Sequence, residues 1–310
     1  MEENKASSRQ KYPFGYQKLR GLRPVLSQKL AIIVFFALGI VLLILGIVFY
    51  VALHGMYEEE LRYDDKCTLN SECTLSFHVS KKIKGKIFLK YKLTKFYQNH
   101  RRFGYSRVNS QLMGEYVDFQ GMKQCDPYRS ENDDSDPSKW ILPCGVFANS
   151  VFNDSFTWLA DESFFSSDDI TLPVERDHVF KKLSSDYTTG NKWLEDNPIF
   201  NGQQNQHFII WMRTSPVPTF SKVYAKCKDC TLEAGDYEIK IDNRYPASLF
   251  NGEKYIVIAR EGTLGNKQTF LGIAFITLGC CCIVFSIIIL LLTIFKVTIK
   301  KEKINTLGAH

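Results

Sequence analysis

The sequence predicts a membrane protein with two transmembrane α-helices and a large lumenal or extracellular domain, mainly antiparallel β with some helix and stapled by disulfides. Two uncharged segments predict the helices: 30–53 covers 24 residues and 270–295 covers 26. At ~1.5 Å per residue, each exceeds the ~30 Å thickness of a bilayer core. The first segment is too long, and begins too far from Met1, to be a cleaved signal peptide.

The charges that flank the two segments predict their orientation. The tail before the first segment holds seven basic and two acidic residues, a net +5, and the tail after the second holds four basic and one acidic, a net +3. Because the whole chain carries +6, the residues between the segments carry −2. Basic residues favour the cytosolic side, so we expect both termini in the cytosol, where the tails face the inner leaflet.

This topology predicts five parts. They are a cytosolic tail (1–29), a first span (30–53), a lumenal or extracellular domain (54–269), a second span (270–295) and a cytosolic tail (296–310).

Six cysteines fall in the region that this topology exposes to an oxidising compartment. They are Cys67, Cys73, Cys125, Cys144, Cys227 and Cys230. An even number in that setting predicts disulfides, and six cysteines allow fifteen pairings. The simplest hypothesis joins neighbours along the chain: Cys67 with Cys73, Cys125 with Cys144, and Cys227 with Cys230.

Strand signals dominate the middle region. The stretches 86–94 and 235–242 alternate apolar and polar residues with a period of two, which is typical of half-buried strands. The apolar runs 207–212 and 254–259 are interpreted as buried strands, and Asn251-Gly252 before the second run favours a hairpin turn. One short helix is expected around 107–113.

Each membrane segment carries two glycines seven residues apart, Gly39 with Gly46 and Gly272 with Gly279. Seven residues make two helical turns, so each pair lies on one face that another helix can approach closely. The alternative is that glycine is simply common in such helices. Neither span contains an ionisable side chain, which weighs against a transport path through this chain alone.

Catalytic and metal-binding patterns are absent from the sequence. It contains no nucleophile elbow, no phosphate-binding loop and no paired metal-ligating histidines. The motif 227–230 (CKDC) is interpreted as a structural staple, since no strand-to-helix context or second cysteine pair accompanies it. No catalytic residue, cofactor or metal is therefore expected. Asn153 lies in an Asn-x-Ser sequon and is a candidate glycosylation site.

Several segments, in chain order, resemble one family, the cell division control protein 50 / ligand-effect modulator proteins. They are YQKLRGLRPVL (16–26), LTKFYQNHRRFGYSRVNSQL (93–112), PCGVFANSVFNDSF (143–156), FIIWMRTSPVPTFSKVY (208–224) and NKQTFLGIAFITLG (266–279). The resemblance implies an accessory β-subunit of type-IV P-type ATPases, the phospholipid flippases. It also implies a Cys125–Cys144 bridge and a glycan on Asn153.

By this resemblance, the catalytic chain hydrolyses ATP and moves phospholipid toward the cytosolic leaflet. Its partner, in a 1:1 complex, supports folding, exit from the endoplasmic reticulum and the transport cycle. The complex would lie in the endoplasmic reticulum, Golgi and endosomes or the plasma membrane. Expected contacts with the catalytic chain are the four span glycines together with Gln17, Leu19, Arg20, Pro24, Phe96, Tyr97, Arg101, Arg102 and Arg213.

Alternatives remain for both the contacts and the function. The lumenal aromatic and arginine residues can instead pair inside their own domain. Two spans with cytosolic ends also occur in ligand-gated channel subunits, and an adhesion or receptor protein fits the same topology. The sequence identifies neither the ATPase that would be bound nor the lipid headgroup that would be moved.

Overall fold

The computed structural model describes residues 27–54, 56–132, 136–260, 262 and 269–307, with backbone only from 297 onward. The chain divides into two compact units, Met1–Val51 with Thr269–His310, and Ala52–Gln268.

The helical unit contains the two predicted spans. Helix α1 is Gln28–His54 and helix α6 is Phe270–Leu307. Each contains 27 residues, Gln28–His54 and Phe270–Lys296, that are apolar enough to cross a membrane. The second helix continues well beyond the expected end of its span, since residues 296–307 contain no Pro or Gly. The prediction of a two-span membrane protein with a β-rich domain is confirmed.

In the described residues of the β-rich unit, two antiparallel sheets hold seven strands. Their bounds are β1 Glu58–Arg62, β2 Ser71–Val79, β3 Ile83–Leu93, β4 Ser155–Trp158, β5 Phe220–Leu232, β6 Gly235–Asn243 and β7 Lys254–Arg260. One sheet has the order β1-β7-β3-β5 and the other has the order β2-β6-β4. The strands around 86–94, 235–242 and 254–259 are as predicted.

The described parts of the segments that connect the strands contain four short helices: α2 Arg101–Tyr105, α3 Asn109–Leu112, α4 Val146–Asn149 and α5 Gln206–Met212. Other helical turns, of 3-10 or π type, are Lys123–Cys125, Pro137–Lys139, Glu175–Val179 and Ala247–Phe250.

The run 207–212 forms helix α5, so its prediction as a strand is wrong. The side-chain oxygen of Asn205 caps the helix, accepting from the backbone N–H of His207 at 2.8 Å and of Phe208 at 3.2 Å. At the other end, the buried ammonium of Lys222 donates to three carbonyls of residues 210–213, at 2.5–3.0 Å. The five apolar residues after His207 fit a buried strand or a buried helix, and the hydrogen bonds at both ends of the run favour the helix.

The hairpin turn predicted at Asn251-Gly252 is also wrong. Strands β6 and β7 belong to different sheets, so no hairpin joins them. Asn251 instead has φ 53° and ends the helical turn Ala247–Phe250. Asparagine tolerates this left-handed conformation, which suits it to a helix C-cap as well as to a primed turn.

Candidate partner interface

The six cysteines of the β-rich unit form the pairs Cys67–Cys73, Cys125–Cys144 and Cys227–Cys230, with Cα–Cα distances of 5.8, 5.7 and 5.9 Å. The third pair lies within β5 at an irregularity of the sheet. Gly85 of β3 faces Cys230 and Ile87 faces Cys227, so β5 accommodates one more residue than β3 between these two pairings. The CKDC motif therefore closes a β-bulge.

Two of the segments that carry the family resemblance bond directly to each other. The side chain of Gln98, fully buried, accepts from the N–H of Ser215 at 3.0 Å and donates to the carbonyl of Trp211 at 3.3 Å. Next to it, Asn99 donates to the carbonyl of Pro216 at 2.8 Å. The loop before α2 is thus anchored on the segment that follows α5.

The segment 143–156 completes this assembly. The indole N–H of Trp211 donates to the Phe147 carbonyl at 2.9 Å, and the Ser106 hydroxyl accepts from the Val146 N–H at 2.9 Å. Gly145 has φ +99°, and a Cβ there would lie 2.1 Å from the Ser106 carbonyl oxygen, so no other residue fits. The segments 93–112, 143–156 and 208–224 thus form one hydrogen-bonded scaffold, and helix α2 lies at its surface.

A buried ion pair joins Asp154, the middle residue of the sequon, to Lys254. The Asp154 carboxylate accepts from the Lys254 ammonium at 2.7 Å and from the Tyr63 hydroxyl at 2.6 Å. Its other oxygen accepts from the N–H groups of Arg244 and Tyr245 at 2.6 and 2.5 Å. Burial, with the neighbouring carboxylate, raises the pKa of Tyr63. This carboxylate joins the start of β4 to the end of β6 and the start of β7.

An exposed patch of four residues, here the Tyr-Arg patch, covers the outer side of this scaffold. It consists of Tyr97, Arg101, Arg102 and Tyr105, of which the tyrosines are 60% and 66% exposed. Phe103 faces inward from the same helix, with its ring 4.7 Å from the Phe147 ring. Throughout the described chain, neither patch arginine has a carboxylate partner within salt-bridge distance.

The patch contains three of the predicted contact residues and one that the sequence prediction missed. Tyr105 lies one helical turn after Arg101 in the structure. The sequence predicts a short helix only around 107–113, so it gave no helical spacing that could point to Tyr105. Tyrosine and arginine dominate binding energy at protein interfaces. Exposed side chains of these types on a rigid base are therefore suited to bind a protein partner.

Two other predicted lumenal contacts are engaged within the domain. The half-buried Phe96 ring packs against five aromatic rings, among them Phe103 at 5.3 Å and Phe250 at 5.0 Å. The Arg213 guanidinium forms two hydrogen bonds with Glu175, at 2.8 and 2.5 Å. Phe96 and Arg213 therefore pair inside their own domain, which is the alternative to a contact with the catalytic chain.

The span glycines face each other within this chain, which corrects their assignment to a partner's helix. A Cβ on Gly279 would lie 2.9 Å from the Gly39 carbonyl oxygen, and a Cβ on Gly46 would lie 3.1 Å from that of Gly272. One seven-residue step further along each helix, Ser286 donates to the Ile32 carbonyl at 3.0 Å. Because all four glycines are buried here, this seam joins the chain's own two spans.

The other predicted site residues lie elsewhere. Gln17, Leu19, Arg20 and Pro24 are outside the described residues. Asn153 is partly buried, and its side-chain oxygen has no hydrogen-bond partner within the described structure. The same residue lines a cavity with Tyr245 and Leu249, and Leu249 is 83% exposed. In the described ranges, no three His, Cys, Asp or Glu side chains are close enough to hold a metal ion.

His207 makes the stability of the β-rich unit depend on pH. Its imidazole stacks on the Tyr224 ring at 4.5 Å, and burial lowers its pKa from 6.5 to about 4. Between these values the unfolded chain binds the extra proton, so stability is lost as pH falls from 6.5 towards 4. Because the ring is partly exposed, we expect a loss of about 1–2 kcal/mol between pH 7 and pH 5.

This loss is measurable by denaturant unfolding of the full chain in detergent, followed by tryptophan fluorescence. All four tryptophans lie in the β-rich unit. His207→Phe keeps the stack without a titrating group and should remove this part of the pH dependence. The exposed His178 provides the matched control, His178→Phe, which should retain it. Equal pH dependence of wild type and His207→Phe would contradict the assignment.

Comparison with known proteins agrees with these features. Residues 52–299 match the model of the LEM3 (ligand-effect modulator 3) family / CDC50 family. Mouse cell cycle control protein 50A is 30% identical to this chain, covering 90% of the chain and 87% of the relative. ALA-interacting subunit 3 of Arabidopsis thaliana is also 30% identical, covering 94% and 88%. Bovine cell cycle control protein 50C is 33% identical, covering 79% and 81%. The chain belongs to the LEM3/CDC50 family.

Proposed function

We propose that this chain is a non-catalytic accessory subunit of a phospholipid-translocating P-type ATPase. In this role it supports the folding of the catalytic chain, its exit from the endoplasmic reticulum and its transport cycle. Relatives in Arabidopsis thaliana are named as interacting subunits, which supports a binding role. The observation that carries the proposal is the Tyr-Arg patch, whose side chains have the chemistry of an interface and stand on a rigid scaffold.

The proposed arrangement is a 1:1 complex with both termini of this chain in the cytosol. Residues 54–269 would lie in the lumen or outside the cell, where the three disulfides are stable. There the Tyr-Arg patch would contact the catalytic chain's lumenal loops, and Asn153 would carry a glycan. The basic tail, through Gln17, Leu19, Arg20 and Pro24, would contact its cytosolic side.

Purification of the tagged full chain in mild detergent, followed by mass spectrometry, tests this function. We expect a P-type ATPase in about equimolar amount. A homotrimer without an ATPase would instead favour the channel subunit, and a chain that purifies alone would favour the receptor. The same experiment identifies which ATPase is bound.

Substitutions in the Tyr-Arg patch test its part in binding. The triple variant Tyr97→Ala, Arg101→Ala and Arg102→Ala should reduce recovery of the ATPase at least tenfold, because it removes three exposed interface side chains. Tyr128 is 45% exposed and lies outside the patch, so Tyr128→Ala is the matched control. An undiminished recovery with the triple variant would exclude the patch as the contact surface.

A further inference from the structure

A cavity of about 380 Å³ opens beside the scaffold and is not part of the Tyr-Arg patch. It lies between helix α3, the end of helix α5 and the segment around Phe180. Its lining is mostly apolar, with two guanidinium groups at its wall: Arg107, Asn109, Leu112, Met113, Val179, Phe180, Met212 and Arg213. No carboxylate belongs to this lining, so the cavity presents positive charge on an apolar floor.

The two arginines of the cavity differ in how their charge is balanced. Arg213 is neutralised by its two hydrogen bonds with Glu175. Arg107 is half-buried and donates to the Met212 carbonyl at 3.2 Å, and its guanidinium lies 5.1 Å from the centre of the Phe147 ring. Nowhere in the described ranges does a carboxylate pair with it. Burial lowers its pKa, as expected for a cation that has lost water without gaining an anion.

The opening of the cavity is apolar, and two exposed lysines lie next to it in the chain. Among the lining residues, Val179 is 43% exposed and lies at the opening of the cavity. Lys181 and Lys182 follow the lining residue Phe180, and the Lys181 N–H donates to the Leu112 carbonyl at 2.9 Å. A group that fits here needs an apolar part for the floor and a negative charge for Arg107.

We propose that this cavity is a socket for a lumenal loop of the catalytic chain, which inserts an apolar side chain next to an Asp or Glu. The apolar side chain fills the space between Leu112, Phe180 and Met212, and the carboxylate pairs with Arg107. An anchor residue in a desolvated pocket, beside a charge pair, is the usual form of an interface hot spot. This inference rests on the proposed function and adds a second contact to the Tyr-Arg patch.

Site-specific cross-linking in intact membranes tests the socket. The photoreactive amino acid p-benzoylphenylalanine replaces Val179 in the full chain, and in separate samples it replaces Tyr97 of the patch or the outward-facing Val174. We expect the Val179 sample to cross-link to a peptide of the catalytic chain in which an acidic residue adjoins an apolar one. The Val174 sample should give at most one-tenth of that yield.

Filling the cavity provides an independent measurement. Val179→Trp should reduce recovery of the ATPase at least tenfold, because the indole occupies the space at the rim. Val174→Trp adds the same side chain to the same segment without lining the cavity, and should leave recovery unchanged. Arg107→Gln should also reduce recovery, and unchanged tryptophan fluorescence at 25 °C would show that the fold is intact.

The outcomes separate the socket from the proposed function. If Tyr97 cross-links to the ATPase while Val179 cross-links to lipid, to a second copy of this chain or to nothing, the socket is overturned and the function stands. A Val179 cross-link to a segment without an acidic residue also overturns it. If no ATPase is recovered with the wild-type chain, the function itself fails and the socket fails with it.

Discussion

Replacing Asp154 by Asn is expected to lower the free energy of unfolding of the β-rich unit by about 3–5 kcal/mol. The Lys254 side chain is 2% exposed, and its ammonium would keep its charge while losing its only carboxylate at salt-bridge distance in the described structure. An asparagine oxygen still accepts from the N–H groups of Arg244 and Tyr245. Its amide NH2 replaces the oxygen that accepts from the Lys254 ammonium and the Tyr63 hydroxyl, so the change removes these two hydrogen bonds together with the charge. Burial already lowers the pKa of Lys254, a sign that its cation is poorly solvated there.

The matched control is the double variant Asp154→Asn with Lys254→Met. Removing both charges leaves no uncompensated ion, so the double variant should lose less stability than the two single variants added together. Denaturant unfolding of the full chain, followed by tryptophan fluorescence, provides the measurement. Additive losses of unfolding free energy, or an Asp154→Asn variant as stable as the wild type, would show that the ion pair does not stabilise the β-rich unit. The sequon survives the substitution, since its middle position accepts any residue except proline.

The sequence was most informative where a single physical cause determines the structure. An uncharged stretch longer than a bilayer is thick predicts a spanning helix, and a period of two predicts a strand, and both predictions were confirmed by the structure. For the run 207–212, the Asn205 cap is a local helix signal that the strand prediction did not use. The helix also depends on the ammonium of Lys222, ten residues beyond its end. A local pattern does not contain such a distant partner.

The same contrast between local patterns and distant partners applies to the candidate interface. The segment 93–112 contained both the scaffold residue Gln98 and the exposed Arg101, and the sequence alone did not separate them, since either type can be buried or exposed. The ion pair of Asp154 and Lys254 spans 100 residues, and neither residue lies in a pattern that predicts the other. Likewise, the cavity beside Arg107 exists only because three separate segments meet there.

Enlarging Gly279 to Leu is expected to separate the two spans. A Cβ at this position already lies 2.9 Å from the Gly39 carbonyl oxygen and 3.0 Å from the Leu43 nitrogen, so the helices must move apart to accommodate any side chain. The equilibrium between touching and separated spans should shift by at least a factor of ten towards separation, corresponding to about 1.4 kcal/mol or more. Thr277→Leu enlarges an exposed position of the same helix and should have no such effect.

Disulfide cross-linking in membranes measures this contact. Cysteines at Ile32 and Ser286, whose atoms are joined by the 3.0 Å hydrogen bond of the seam, should cross-link in the otherwise wild-type chain and in the Thr277→Leu variant. Ile32→Cys alone controls for the native cysteines at 280–282. If the glycines instead served a partner's helix, Gly279→Leu would leave this cross-link intact and reduce only the recovery of the ATPase. The seam and the partner contact therefore give opposite results in the same membrane preparation, because only the seam requires the two helices of one chain to touch.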